Sequence, residues 1–357
     1  MEVAAWDLML EWTRQGHEVI GVTTPGADGL AEAPFEVEVL PGLPARYSPQ
    51  WFEATVPFAH RIGADVSFGV SAGAHAIVKD PVRGSVTVMQ AHGTSIEEAR
   101  SALSRRSARG VKHALGQIPG MLRDWDRYPR YDALVAVGPG IPRAIGLYPP
   151  RVRPRRTELI ENGISLPAPR PVELPATRGP FAVFVGRLSH DKGPDLAVAA
   201  LRHWPGDLVV VGDGPFEGEL RRSIGEAGLG DRVHLLGRRD RSEIAWLLAA
   251  ADAVVAPSRR REGLPLVALE ALAAGTPLVT SSSVADTFGA VPPAGLLVSG
   301  PDPAEIGAQL HRAGSPGTAG SVALPDAYRL EVSAARYLRL FDELLGARAG
   351  GGTGRTP

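Results

Sequence analysis

From Phe181 to Ala313 the chain repeats one pattern: a short apolar run, a polar turn, then a stretch with helical spacing. The apolar runs fall near residues 181–185, 207–211, 232–236, 252–256, 277–280 and 295–298. The helical stretches fall near 193–203, 216–227, 241–250, 264–274 and 303–313. Runs this short and this apolar fit buried strands. Strands separated by helices form a parallel sheet with right-handed crossovers, so this part of the chain is α/β. In such sheets ligands sit outside the carboxyl ends of the strands. Arg187, Gly212, Gly237, Glu262 and Gly263 all fall there.

Two of these connections carry charge. After the run Phe181 to Val185 the chain reads GRLSHDKG, with Arg187 and Lys192 five residues apart before a helix. Both cations can converge on one polyphosphate, the arginine with two parallel hydrogen bonds and the lysine as a point charge. Only three lysines (Lys79, Lys112, Lys192) stand among the 38 basic residues, which makes a lysine here informative. The second connection lies in ADAVVAPSRRREGLPLVALEALAAGTPLVT, residues 251–280. A loop bearing Glu262 leads into a helical segment with Leu266, Leu269, Glu270 and Leu272. A helix start leaves backbone N–H groups unpaired at the positive end of the dipole, which suits a diphosphate. Ionised Glu262 and Glu270 only accept hydrogen bonds, which suits the hydroxyls of a sugar or ribose. By itself the same pair also fits a capped core helix with two solvated acids. Gly212-Asp213-Gly214 likewise fits a simple tight turn.

Together these residues resemble the retaining GT-B glycosyltransferases of glycosyltransferase family 4. The motifs are Gly186-Arg187 to Lys192-Gly193, Val211-Gly212-Asp213-Gly214-Pro215, and Pro257-Ser258 through Glu262-Gly263, Glu270-Ala271, Gly275 and Pro277. They run in register over residues 157–345. The resemblance implies an α/β GT-B fold, two Rossmann-like doubly wound domains facing a central cleft. It implies a nucleoside-diphosphate sugar as donor, UDP- or GDP-linked, and no further cofactor. Arg187 and Lys192 are then expected on the diphosphate, with Glu262 on the donor sugar and Glu270 on the ribose. Gly263, Leu264, Leu266 and Val267 form the helix mouth, and because Pro265 has no N–H the donors are Leu264, Leu266 and Val267. Gly212, Gly237 and Arg238 are expected beside the nucleotide. After Thr280 the chain departs from the family, with Ser281-Ser282-Ser283-Val284-Ala285-Asp286 in place of a glycine pair and a glutamate.

The first half is less regular. Ala5, Leu8, Met9 and Trp12 make a helical stripe, followed by a strand at His17 to Thr23. Relative to the family, Glu2, Asp7, Leu8, Gly16, His17, Glu18 and Val19 are in place, and the first strand with its glycine loop is absent. In the usual order that strand is central. Its loss leaves buried backbone groups at about 1–3 kcal/mol each, against a total stability of about 5–15 kcal/mol. The expectation is a start codon assigned too far downstream. Further strands are predicted near 35–40, 65–70, 85–90, 131–137 and 157–161, with a helix over 49–62. His92 follows the strand 85–90; the resemblance places it against the donor sugar, and a helix cap is the plainer reading.

Residues 100–130 interleave eight basic residues with Leu103, Val111, Leu115, Ile118, Met121, Leu122 and Trp125, against Asp124 and Asp126. This fits either an interfacial helix making peripheral contact with anionic lipid or the solvated face of an ordinary helix. Leu166 to Pro180, with five prolines, reads as a linker. The expected division is an acceptor-side domain 1–163, a nucleotide-sugar domain 164–325, a helix 326–345 crossing back to the first domain, and a disordered tail 346–357.

At 357 residues two domains are the default. A net charge of −1 gives no general attraction to nucleic acid or anionic lipid. Zero cysteines exclude disulfides, thiolate metal sites and a cysteine nucleophile. The longest apolar run, Ile244 to Pro257, is broken by Asp252 and is shorter than the ~18 residues of a membrane span. A cytoplasmic, metal-independent transferase is expected, with an unidentified acceptor. The rival readings are an epimerase or phosphorylase on the same fold, or a non-catalytic paralogue that binds nucleotide sugar.

Overall fold

A computed structural model describes residues 2–26, 30, 33–44, 47–104, 108–174, 179–259, 264–289, 292–315 and 322–351. The chain divides into two compact units, residues 1–163 with 330–357, and residues 164–329.

The first unit opens with α1 (Glu2–Arg14), β1 (Ile20–Thr23) and β2 (Glu36–Val39). There follow α2 (Pro49–Ile62), β3 (Val66–Val70), β4 (Val86–Ala91), α3 (Ser95–Ser104), α4 (Ala108–Gly116) and α5 (Ile118–Arg127). It continues through β5 (Ala133–Ala136), α6 (Gly140–Ile145) and β6 (Thr157–Leu159). Residues 100–130 hold the end of α3 and two further helices. All strand pairs are parallel, in two separate sheets: β1 with β2, and β3-β4-β5-β6. The predicted stripe of α1 is the buried one, with Ala5, Leu8 and Trp12 in the interior. Trp6 meets Phe35 just before β2 at 5.0 Å, and Trp12 meets Phe68 of β3 at 5.4 Å. One helix therefore packs against both sheets.

The second unit alternates as its sequence pattern requires. Its elements are β7 (Phe181–Val185), α7 (Pro194–Ala200), β8 (Asp207–Val211), α8 (Glu217–Ala227), β9 (Val233–Gly237) and α9 (Arg241–Ala250). Then come β10 (Ala253–Ala256), α10 (Leu266–Ala273), β11 (Leu278–Ser281), α11 (Ser282–Ala285), β12 (Leu296–Ser299) and α12 (Pro303–Ala313). The six strands form one parallel sheet in the order β12-β11-β10-β7-β8-β9. Both faces are covered: Ala182, Phe184, Leu208, Val210 and Val255 join one core cluster, while Val183, Val209 and Val211 join another on the opposite face. Each fully buried valine or leucine contributes about 1.5–3 kcal/mol, so strands of this composition are held from both sides. Asp240 and Glu243 form a reciprocal capping box at the start of α9, with bonds of 2.9 and 3.1 Å. The described part of the proline-rich stretch is not a free linker. Arg170 N donates to Ser242 O at 3.0 Å, and Val172 and Leu174 pack on the second unit.

Helix α13 (Leu330–Gly351) belongs to the first unit. Tyr337, Leu340 and Phe341 pack with Leu8, Trp12 and Val88. Ser333 Oγ donates to Glu161 O at 2.8 Å, and Arg348 bonds both carboxylate oxygens of Asp132 at 2.9 Å. That last contact keeps the chain helical beyond residue 346, inside the stretch the sequence pattern assigns to a tail. Asp326–Tyr328 is a separate 3-10 turn on the second unit, tied by Ile164 N to Tyr328 O at 3.0 Å. Trp12 touches Phe68, Tyr337 and Phe341 edge to face at 5.4–5.8 Å. Trp12→Ala is expected to destabilise the first unit by about 3–5 kcal/mol, read as an earlier denaturant transition with the second unit's transition unmoved.

Candidate functional site

The strand order of the second unit creates a switch point. From β7 the chain builds outward through β8 to β9, then returns to lay β10 on the other side of β7, with Ala253 opposite Ala182 and Val254 opposite Val183. The connections leaving β7 and β10 therefore diverge from adjacent strands, and the crevice between such connections is where open α/β sheets bind ligands.

Backbone contacts join the ends of β7, β8 and β9. Gly186 N donates to Val211 O at 3.0 Å, Leu188 N to Asp213 O at 2.7 Å, and Gly212 N to Gly237 O at 2.8 Å. Gly212 has φ +132°, and a Cβ there would lie 2.0 Å from Gly186 O. Gly193 has φ +72°, and a Cβ there would lie 2.3 Å from Pro257 O. Only glycine permits both the backbone angle and the approach. A clamp that the linear pattern does not reveal closes the arrangement. Arg259 N donates to Asp191 O at 2.8 Å, while its guanidinium reaches His190 O at 2.8 Å and grips Asp195 with bonds of 2.7 and 2.6 Å. Burial opposes ionisation of Asp195, but the Arg259 bonds and charge outweigh it and hold the carboxyl below its usual range. Arg259 sits in a run of three arginines, and nothing in the sequence distinguishes the structural one.

The expected residues of this unit stand on several of its connections and on α10. Arg187 is exposed on the β7–α7 connection and ion-pairs with none of the described residues; Lys192 is half-buried in the turn His190–Lys192. Leu264 is buried, and Leu266 and Val267 open α10 behind Pro265, where none of the described side chains caps the helix. Its first N–H groups are therefore unclaimed by a cap. Glu270 is half-buried on α10; Gly237, at φ +68°, ends β9, and Arg238 beyond it is exposed. Glu262 and Gly263 lie outside the described residues. Among the described residues no group of three or more His, Asp and Glu side chains is placed to hold a metal.

His92 lies in the first unit, just after β4, in a buried polar chain. Its Nε2 stands 3.0 Å from Gln90 Oε1, and Gln90 Nε2 donates to Tyr337 OH at 2.9 Å and Asn162 Oδ1 at 3.3 Å. Gln90 and Tyr337 are fully buried. With the amide nitrogen engaged twice, the amide oxygen accepts from His92, which places the imidazole proton on Nε2 and leaves Nδ1 as an acceptor. Burial pushes the His92 pKa down to about 4, so the ring is neutral at pH 7. Sequence reasoning missed this chain, since its members come from a strand, a turn and the last helix.

His75 behaves similarly, pushed down to about 4 by burial and then by the Arg127 and Arg123 charges. Both histidines protonate more readily in the unfolded chain, near pH 6.5. Stability is therefore expected to be complete above about pH 6.5 and to fall as the pH drops towards 4. His75 alone accounts for about 3 kcal/mol of that loss. Unfolding midpoints across that range, repeated with His75→Gln, check the direction: the variant should lose less on acidification.

Residues 168–313 match the family described as glycosyl transferases group 1. The chain is 32% identical over 231 residues to the 2-deoxystreptamine glucosyltransferase of Streptomyces kanamyceticus, covering 57% of this chain and 56% of that one. It spans about half the length of the curated relatives it matches. The fold is that of GT-B glycosyltransferases. It superposes on a sucrose-phosphate synthase from Thermosynechococcus elongatus with a TM-score of 0.75 at 21% identity, over 95% of this chain and 92% of that one. It superposes on Anabaena HepE, solved in complex with UDP and glucose, with a TM-score of 0.68 at 18% identity, over 96% and 95%.

Proposed function

We propose that the protein transfers a glycosyl group from a nucleoside-diphosphate sugar, UDP- or GDP-linked, to an acceptor hydroxyl with retention of anomeric configuration. The observation that carries this reading is the switch point of the second unit, where a cation-bearing connection and an uncapped helix start leave adjacent strands. Support also comes from the matched glycosyltransferase domain, the relative named as a glucosyltransferase, and the UDP held by a protein of the same fold.

The chemical difficulty is negative charge growing on the departing diphosphate as the C1–oxygen bond breaks. Arg187 and Lys192 neutralise it, and Leu264, Leu266 and Val267 donate backbone N–H groups to it. Glu262 holds hydroxyls of the donor sugar, Glu270 the ribose diol, and Gly212, Gly237 and Arg238 lie by the nucleotide. His92 serves the transferred sugar as a neutral hydrogen-bonding group. The acceptor oxygen bonds to C1 on the face the diphosphate leaves, and its proton passes to the leaving phosphate oxygen. Two cations and a helix start take the place of a divalent metal, and the chemistry has no need of a resident cofactor.

Lys192→Ala is expected to lower kcat/KM by about a hundredfold or more, with nucleoside diphosphate released only when acceptor is present. Equal turnover by the variant would overturn the phosphate clamp. Release without acceptor would favour an epimerase or hydrolase-like activity instead. The anomeric proton coupling of the product, compared with that of the donor, tests retention. A thermal-shift panel of nucleotide sugars identifies the base and sugar; a uniform absence of shift would overturn the donor class.

A further inference from the structure

Helices α3, α4 and α5 are packed inside out. Their mutual contact is made by small residues: Ala99, Ala102 and Ala114 form the buried cluster, and Gly120 lies against Ser95, where a Cβ would come within 2.6 Å of Oγ. The large apolar side chains face solvent instead. Leu103, Val111, Leu115, Ile118, Leu122 and Trp125 are 43–65% exposed. On α4, Val111 and Leu115 are four apart; on α5, Ile118, Leu122 and Trp125 follow at four and seven. Each set is therefore one helical stripe.

The charges are sorted in the same way. On α4 and α5 the cations Lys112 and Arg123 are exposed, whereas Asp124 is turned inward; α3 exposes both Glu98 and Arg100. Its carboxylate accepts from Tyr148 OH at 2.6 Å and from Ser95 N at 3.2 Å. Asp126, next along, is taken up by Lys79 at 2.9 Å and Arg130 at 3.2 Å. From Val111 to Trp125 no acidic side chain is exposed. Arg151 lies over the Trp125 ring at 5.4 Å, adding a cation to the outer edge.

We propose that this face docks on an anionic lipid bilayer, with the two leucine-bearing stripes in the acyl boundary, Trp125 at the headgroup level, and Lys112 and Arg123 on lipid phosphates. An apolar stripe flanked by cations, with a tryptophan at its end, is the composition that binds in the interface plane. A second copy of the chain fits poorly. A two-fold contact would bring Lys112 and Arg123 of both copies into one interface, and the stripe from Val111 to Trp125 exposes no acid to pair with them. This inference stands apart from the transfer reaction and does not depend on it.

The test is flotation of the full chain with vesicles of phosphatidylcholine alone or mixed with phosphatidylglycerol, alongside sedimentation of the vesicle-free protein. Binding is expected to the anionic vesicles only, falling about tenfold or more when salt rises from about 0.05 to about 0.5 M. Leu115→Ser with Leu122→Ser, and separately Lys112→Glu, should each weaken it about tenfold or more while the thermal midpoint stays in place. Trp125→Phe should abolish the blue shift of fluorescence seen on adding vesicles. Equal binding to both vesicle types, or none to either, overturns the proposal. So does a dimer in vesicle-free protein that Leu122→Ser dissolves.

Discussion

The pairing of β7 with β10 governs the second unit. Because β10 returns beside the first strand instead of continuing past β9, the connection bearing Arg187 and Lys192 and the one leading into α10 leave neighbouring strands. Two features that are some seventy residues apart in the chain thus start from one place in the sheet. The glycines then decide how closely the connections after β7, β8 and β10 approach. Gly212 and Gly193 each bring one backbone against another at a distance no side chain tolerates. Arg259 adds the electrostatic half of the same closure by joining the β10 connection to Asp195 at the start of α7.

The first unit depends on its two ends. Helix α1 reaches the residue ahead of β2 through Trp6 and β3 through Trp12, so it spans strands that do not hydrogen-bond to one another. Helix α13 meets it there, and Trp12, Phe68, Tyr337 and Phe341 form an aromatic cluster, edge to face except for the tilted Tyr337–Phe341 pair. Tyr337 also supplies the polar end of the Gln90–His92 chain. The last helix therefore supports the core and orients the imidazole by the same residue, which couples the stability of this unit to the geometry of His92.

The surface of α3–α5 inverts a common rule of burial. Its apolar residues have helical spacing, and helical spacing ordinarily marks a face turned to the core. Here the inner contacts are already filled by alanines, a glycine and an aspartate whose carboxylate finds two donors. Small residues permit close helix contact, and close contact leaves no room inside for leucine or tryptophan.

What the sequence determined by itself was whatever depends on local order. The strand and helix pattern of residues 181–313 is legible because parallel strands buried on both faces must be apolar throughout, and because caps such as Asp240 with Glu243 act within a single turn. It also placed Arg187, Lys192 and the start of α10 at strand ends, since that follows from order along the chain. The tertiary structure alone decided which groups meet across the chain. Arg259 with Asp195, Gln90 with Tyr337, and Asp124 with Tyr148 are pairs 24 to 247 residues apart, and no periodicity encodes them. Such contacts depend on where strands are laid in the sheet and which helix faces are already filled, and both are properties of the packed molecule.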